Sequence, residues 1–402
     1  MRRVAITGMG SISCLGDNAD AAWASMSTGR GGIAPITGID GPALLQNIAG
    51  QVHDFEPAAH CDPKRWPLID RVSAFAIVAA RDAMRQARLE PRRDSLAARM
   101  AVIVGTGAGG ENSHDQQMRR LYGGDGRVHP LTILRVMANA PASHLSIEFG
   151  ITGPVFGVTS ACASSNHALA QAFQMVRSGQ ADAALAGGTE ACITYSTLKA
   201  WEAMRVMADD ACRPFSRHRR GMVLAEGAAI FVLEPLEAAM ARGVEVLAEF
   251  AGAGMSADAA DLVMPAVSGA AAAMQRALED ARLAPRSIGY INAHGTGTAA
   301  NDPTESAAIR RVFGPYADSL SVSSTKAMHG HALGAAGALE LVATINALRF
   351  GIIPPTINFL EPDPQCDLDY TPNTPKTKTI EAALSNSFAF GGLNAVIALR
   401  RA

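Results

Sequence analysis

With 402 residues, 48% of them hydrophobic and 18% charged, the chain has enough apolar material for one large core or two domains. A net charge of −2 supplies no global field for nucleic acid or an anionic membrane, so an acidic partner must meet a local basic patch. The six cysteines (Cys14, Cys61, Cys162, Cys192, Cys212 and Cys366) have no paired spacing, which argues against a zinc ribbon or a disulfide frame and for a reducing, cytoplasmic setting. No run reaches ~18 consecutive apolar residues, so no membrane insertion is expected.

In chain order, a strand at 4–7 runs into a Gly-x-Gly turn in "ITGMGS", and a helix follows at 70–88. A strand at 100–105 leads into "GTGAGG", a glycine-rich turn with no ribose-binding acid after it, so a dinucleotide site is rejected. "VTSACASSN" then joins the end of an apolar strand to a helix at 162–178, whose apolar face is Ala168, Leu169, Ala172, Phe173 and Val176. Cys162 at that helix start would meet unpaired N–H groups, which favour a thiolate and lower the thiol pKa. The competing reading is a small buried side chain, the usual fate of a lone cysteine. His167, in the same helix, reads as local structure.

Strands at 183–188 and 229–234 complete the first half. "FAGAGMS" at 250–256 again reads as a strand entering a Gly-x-Gly turn, a hint of duplication that divides the chain into 1–247 and 248–402. After a helix at 266–283, a strand at 288–295 ends in "NAHGTGT", which projects His294 and sets the Thr296 and Thr298 hydroxyls on one side of an extended segment. A helix at 303–313 and a strand at 320–324 precede "SSTKAMHGHALGAAGALE", which holds Lys326 and His331 ahead of a helix at 333–350. His329 reads as local structure, and "HGH" lacks a third metal ligand at suitable spacing. The final strand, 382–388, runs into "SNSFAFGGLN", either a plain tight turn or an aromatic gate whose N–H faces a developing oxyanion. A thiol, two imidazoles and a lysine suit acyl transfer followed by carbanion attack, with no metal and no redox cofactor.

These blocks, in this order, resemble the signatures of the elongating β-ketoacyl-acyl carrier protein synthases, and "RPFSRHRRGMVLAEGAA" extends the resemblance along the chain. The resemblance implies an α/β, thiolase-like fold of five αβαβα layers in two duplicated halves. It implies decarboxylative Claisen condensation of an acyl-thioester with malonyl-acyl carrier protein, giving a 3-oxoacyl product. Cys162 would be the acylated nucleophile, His294 and His331 the decarboxylating pair, and Lys326 their support, paired with an acid such as Glu305. Asp302, Glu305 and Glu340 would form the supporting network, and the N–H groups of Cys162 and Phe390 the oxyanion hole, with Phe390 as gate. Thr296 and Thr298 would hold a phosphopantetheine arm that arrives on the carrier protein, so no resident cofactor is expected. Ala108 and Phe388 would line the acyl pocket, Ala108 standing where a larger aliphatic is common. Ala389, Leu393, Ser216 and Arg220 also depart from the usual pattern. Lys64, Arg65 and Arg205 are candidates for docking the acidic carrier protein. A homodimer is implied, a heterodimer with another synthase is possible, and the alternative function is a non-catalytic subunit that shapes another synthase's pocket.

Overall fold

The strand expected at 4–7 does not stop at its glycines. In the computed structural model, which describes every residue except 40, 42, 61–63, 93, 94 and 125, β1 runs unbroken over Val4–Ser13. Cys61 lies outside the described residues. The other long strands are β2 (Met100–Gly105), β3 (Val155–Val158), β4 (Ala183–Glu190), β5 (Gly227–Pro235), β6 (Ala248–Ala257), β7 (Ile288–Asn292), β8 (Ser321–Ser323), β9 (Ala382–Ala389) and β10 (Leu393–Arg400). The helices that position the site are α1 (Arg71–Ala87), α2 (Ser164–Ser178), α3 (Tyr195–Met204), α4 (Val267–Ala281), α5 (Asn301–Phe313) and α6 (Ala336–Phe350).

Both Gly-x-Gly pairs lie inside strands, which corrects the turns expected there. A Cβ at Gly8 would sit 2.0 Å from the Ala83 carbonyl oxygen, and one at Gly10 the same distance from that of Ala79. The glycines of β1 therefore exist to let α1 lie on the sheet. The device recurs in the second half: at Gly252 a Cβ would be 2.5 Å from the Ala281 nitrogen, and at Gly254 2.1 Å from the Ala273 oxygen, both on α4.

The strands form one ten-stranded sheet in the order β8-β7-β9-β10-β6-β1-β5-β4-β2-β3. Read outward from the β6–β1 junction, each half follows the same order. The junction is a short antiparallel pairing, Val4 with Phe250, Ala5 with Glu249 and Ile6 with Ala248. Helices α2 and α6 pack between the two half-sheets in one apolar cluster that includes Leu169, Phe173, Leu341, Ile345, Phe231, Phe250 and Ile397. Helix α1 covers the outer face of the first half-sheet, against Val102, Leu185 and Ile230. Helices α4 and α5 cover the outer face of the second, against Ile288, Leu384 and Val396. The result is the thiolase-like αβαβα arrangement.

Leu333–Phe350, which carries Glu340 and Arg349, has a mean hydropathy of 1.3, and 89% of it is buried in the central layer. A helix hydrophobic on all sides is what a site between two sheets requires. Its first turn is 3₁₀ over Leu333–Ala335 before α6 begins. Edge strand β3, the strand expected before Cys162, is only four residues long, whereas β10, which starts immediately after a Gly391–Gly392 turn with both residues at positive φ, went unanticipated.

Candidate active site

Cys162 stands one turn before the helix expected to hold it. The chain leaves β3, passes Ala161 at φ +49°, and forms a 3₁₀ turn over Ala161–Ala163 before α2 begins. A left-handed conformation without glycine is a strained, held position. Here Ser164 locks it: its hydroxyl donates to the Ala161 carbonyl at 2.7 Å and accepts from the Ser160 N–H at 2.9 Å. The thiol is buried, and the backbone N–H groups of Cys162 and Phe390 both point to it. Burial pushes the thiol up to about 12, against the pull of Lys326 and of those two N–H groups. The expected low pKa is therefore corrected: the resting group is a thiol, and it must lose its proton to a base as it reacts.

Two imidazoles stand beside it. Cys162 Sγ and one ring nitrogen each of His294 and His331 all lie within 4.8 Å of one another. The two rings meet edge to face, centroids 5.4 Å apart. His294 follows the end of β7, which stops at Asn292, and His331 is anchored by its N–H to the Val223 carbonyl at 2.6 Å. Burial, then the nearby Lys326 charge, holds both imidazoles well below their ordinary pKa, so both are neutral.

Lys326 is fully buried and donates to the His294 carbonyl at 2.6 Å. Its Nζ is 3.3 Å from His294 Nδ1 and is ion-paired with Glu340. Glu340, not Glu305, is its partner acid. An ammonium can only donate, so Nδ1 accepts and the His294 ring proton sits on Nε2. His331 Nδ1 is buried without a partner, which leaves that ring free to use either tautomer. Glu305 instead accepts the N–H groups of His294 (2.9 Å) and Gly295 (2.8 Å), and Asp302 accepts those of Phe215 (2.7 Å) and Gly297 (3.2 Å). The acids at the start of α5 thus hold the "HGTGT" loop by its backbone. His329 and His167 hydrogen-bond locally, to Thr325 Oγ1 and to Ser160 Oγ.

A narrow pocket open to solvent leads to these groups. Thr296 and Thr298 line it, their hydroxyls 2.9 Å apart. Phe388 lies edge-on to His294 at 6.1 Å, and half-buried Phe390 stacks on Trp201 of α3 at 6.0 Å. The mouth carries a loop the sequence did not flag, Asp261–Pro265, tied to the gate by the Gly391 N–H donating to the Leu262 carbonyl at 2.8 Å. Ala108 is not among the residues that line this cavity. Its N–H, with those of Gly107 and Gly334 and the Thr106 hydroxyl, donates to Glu190, a fully buried acid that motif reasoning missed. The only sequence signal for Glu190 was an acid closing an apolar strand after Gly-Gly. Among the docking candidates, Lys64 and Arg205 are exposed, whereas Arg65 is half-buried and paired with Glu148 at 3.0 Å.

Residues 1–239 match the family described as Beta-ketoacyl synthase, N-terminal domain, and residues 247–360 match Beta-ketoacyl synthase, C-terminal domain. Nodulation protein E of Rhizobium sp. (strain N33) is 49% identical over 401 residues, covering 100% of this chain and 99% of that one. The 3-oxoacyl-[acyl-carrier-protein] synthase 2 of Staphylococcus aureus (strain N315) is 40% identical over 411 residues, covering 100% of this chain and 98% of that one. Among solved structures, the ishigamide ketosynthase/chain length factor superposes with a TM-score of 0.94 at 37% identity, covering 100% and 99% of the two chains. A ketosynthase in complex with its type II PKS acyl-carrier protein gives a TM-score of 0.90 at 31% identity over 100% and 99%.

Proposed function

This chain belongs to the β-ketoacyl synthase family, and we propose that it condenses an acyl group held on Cys162 with malonyl-acyl carrier protein to give a 3-oxoacyl-acyl carrier protein. The observation that carries the proposal is the convergence of one thiol and two neutral imidazoles beneath a pair of N–H donors.

In the first half-reaction the thiol attacks the acyl-thioester carbonyl while its proton passes to His331, the imidazole with an unengaged nitrogen. The N–H groups of Cys162 and Phe390 take the oxyanion, and the proton returns to the departing pantetheine sulfur. In the second, the malonyl thioester enters along Thr296 and Thr298. His294 Nε2–H donates to its carbonyl, which is the donor the Lys326-fixed tautomer supplies. Loss of carbon dioxide leaves an enolate whose carbon attacks the acyl-cysteine, and the sulfur leaves as a thiolate that takes a proton from solvent to restore the resting thiol. A neutral donor suits this step, because an imidazolium would have to shed its proton at neutral pH inside an apolar pocket.

Cys162→Ala should abolish condensation yet retain release of carbon dioxide from malonyl-carrier protein. His294→Ala should still load an acyl group and fail to decarboxylate, by about 10²-fold or more. Intact-protein mass spectrometry and counting of released labelled carbon dioxide read the two half-reactions separately. Acyl mass on any residue but Cys162 would overturn the scheme. Retention of the whole set argues against the non-catalytic subunit. The cognate partner is an acidic carrier protein meeting Lys64 and Arg205, and the phosphopantetheine it brings is the only prosthetic group the scheme uses. The higher identity to nodulation protein E than to synthase 2 supports a specialised acyl chain.

The protein also reads as a homodimer. Strand β3 ends the sheet, and Phe156, Ile133, Leu134, Met137 and Ile147 are exposed on β3 and on the segments that lead to it. Sedimentation should give twice the 41.8 kDa chain mass, and a monomer at micromolar concentration would refute this. Five free cysteines among the described residues fit the reducing cytoplasm.

A further inference from the structure

We propose that the Cys162–His294–His331 triangle is also an inhibitory site for a soft divalent cation, zinc foremost, which occupies it in place of substrate. Thiolate and imidazole are the donors zinc prefers, and three protein ligands with one open position is its coordination in accessible sites. Here the donors come from three separate segments, lie within 4.8 Å of one another and are all buried. Tetrahedral zinc, with bonds of about 2.0–2.3 Å, sets its donors about 3.5 Å apart, so the largest contraction asked of any pair is about 1.3 Å. Side-chain rotation supplies that. His331 meets no opposition, because its Nδ1 has no partner to lose. The fourth position faces the cavity, where a water completes the shell.

The exchange conserves charge. The Cys162 S–H bond and the His294 Nε2–H bond break, and bonds from the metal to sulfur and to both imidazoles form. His294 Nδ1 takes a proton from Lys326 Nζ, 3.3 Å away, and two protons leave to solvent. One dication replaces two protons, so the buried pocket keeps its net charge, and Glu340 gives up its ion pair with Lys326 in the exchange. A site that must absorb a dication without such compensation incurs a large desolvation cost. Acylation needs the same sulfur lone pair, so metal and acyl group exclude each other.

The test uses the intact protein and cobalt(II) as a visible stand-in, and needs no condensation assay, so its failure leaves the proposed reaction untouched. Cobalt should bind one per chain, with the intense visible bands of four-coordination and a thiolate charge-transfer band in the near ultraviolet. Zinc should bleach both. Alkylating Cys162 with iodoacetamide in the folded protein should abolish them, and His331→Ala should lose the four-coordinate bands. Zinc at saturation should also stop transfer of an acyl group to Cys162, with recovery on chelation. Bands that survive alkylation, a six-coordinate spectrum alone, or acyl loading indifferent to zinc would each overturn the proposal.

Discussion

Lys326→Met should destabilise the fold by about 3–5 kcal/mol, the cost of stranding one partner of a buried ion pair. Lys326 and Glu340 are both fully buried, and among the described residues Glu340 Oε2 lacks a partner and the lysine is the only side chain that answers this carboxylate. Burial pushes Glu340 up to about 7 even with Lys326 pulling it down, and without the lysine it rises further. The folded variant then binds a proton the unfolded chain releases above its ordinary carboxyl pKa near 4.3. Stability must therefore fall as pH rises, by up to about 1.4 kcal/mol per unit between those two values. Urea titrations at pH 5.5 and 8 should show a larger loss at pH 8. The double variant Lys326→Met/Glu340→Leu should recover most of the stability and none of the decarboxylation, because His294 Nδ1 still lacks the donor that fixes its tautomer. A single variant within 1 kcal/mol of the parent at both pH values would disprove the account.

Gly8→Ala and Gly254→Ala should each cost about 3 kcal/mol or more, the upper end of what an added methyl does in a packed core. In both, the new carbon lands about 2 Å from a helix carbonyl oxygen, 2.0 Å at Ala83 and 2.1 Å at Ala273. No rotamer relieves a clash with backbone, so the whole helix must lift from the sheet. Gly289→Ala, in β7, is the matched control: its Cβ would approach no atom closer than Ile380 Cγ2, at 3.4 Å, among the described residues, and should cost under about 1 kcal/mol. Denaturant midpoints for the three variants decide it. If Gly289→Ala proves as damaging as the others, strand glycines matter here for some reason other than helix approach.

The chemistry was more legible than the packing. Cys162, His294, Lys326 and His331 announce themselves because each sits in a run of small residues beside a strand end, where a side chain has nothing to do but face a cavity. The glycines of β1 and β6 misled, because a Gly-x-Gly string looks the same whether the backbone turns or a helix needs room. Lys326 is expected to pair with an acid such as Glu305, yet the pair is made with Glu340 of α6, which sequence position does not single out. The thiol pKa failed for a related reason: a helix start is visible in sequence, while the depth of burial that overrides it is a property of the assembled fold. Glu190 shows the same limit, since its four donors come from two distant loops.

The repeated strand order carries a further meaning. Count strands within each half, and the loop after the third holds Cys162 in one and Lys326 with His331 in the other. The loop after the second holds the Gly107–Ala108 turn in one and His294 in the other, and the fourth strands end at Glu190 and just before Phe390. The thiol and the proposed acid–base groups therefore occupy the same address in two units of the same strand order, and the fold brings them within 4.8 Å. A perfectly symmetric ancestor would set thiol against thiol or imidazole against imidazole. Chemistry on a thioester needs unlike partners, and duplication followed by divergence is how a single polypeptide obtains them at one spot. Neither half, expressed alone, could hold more than one side of the reaction.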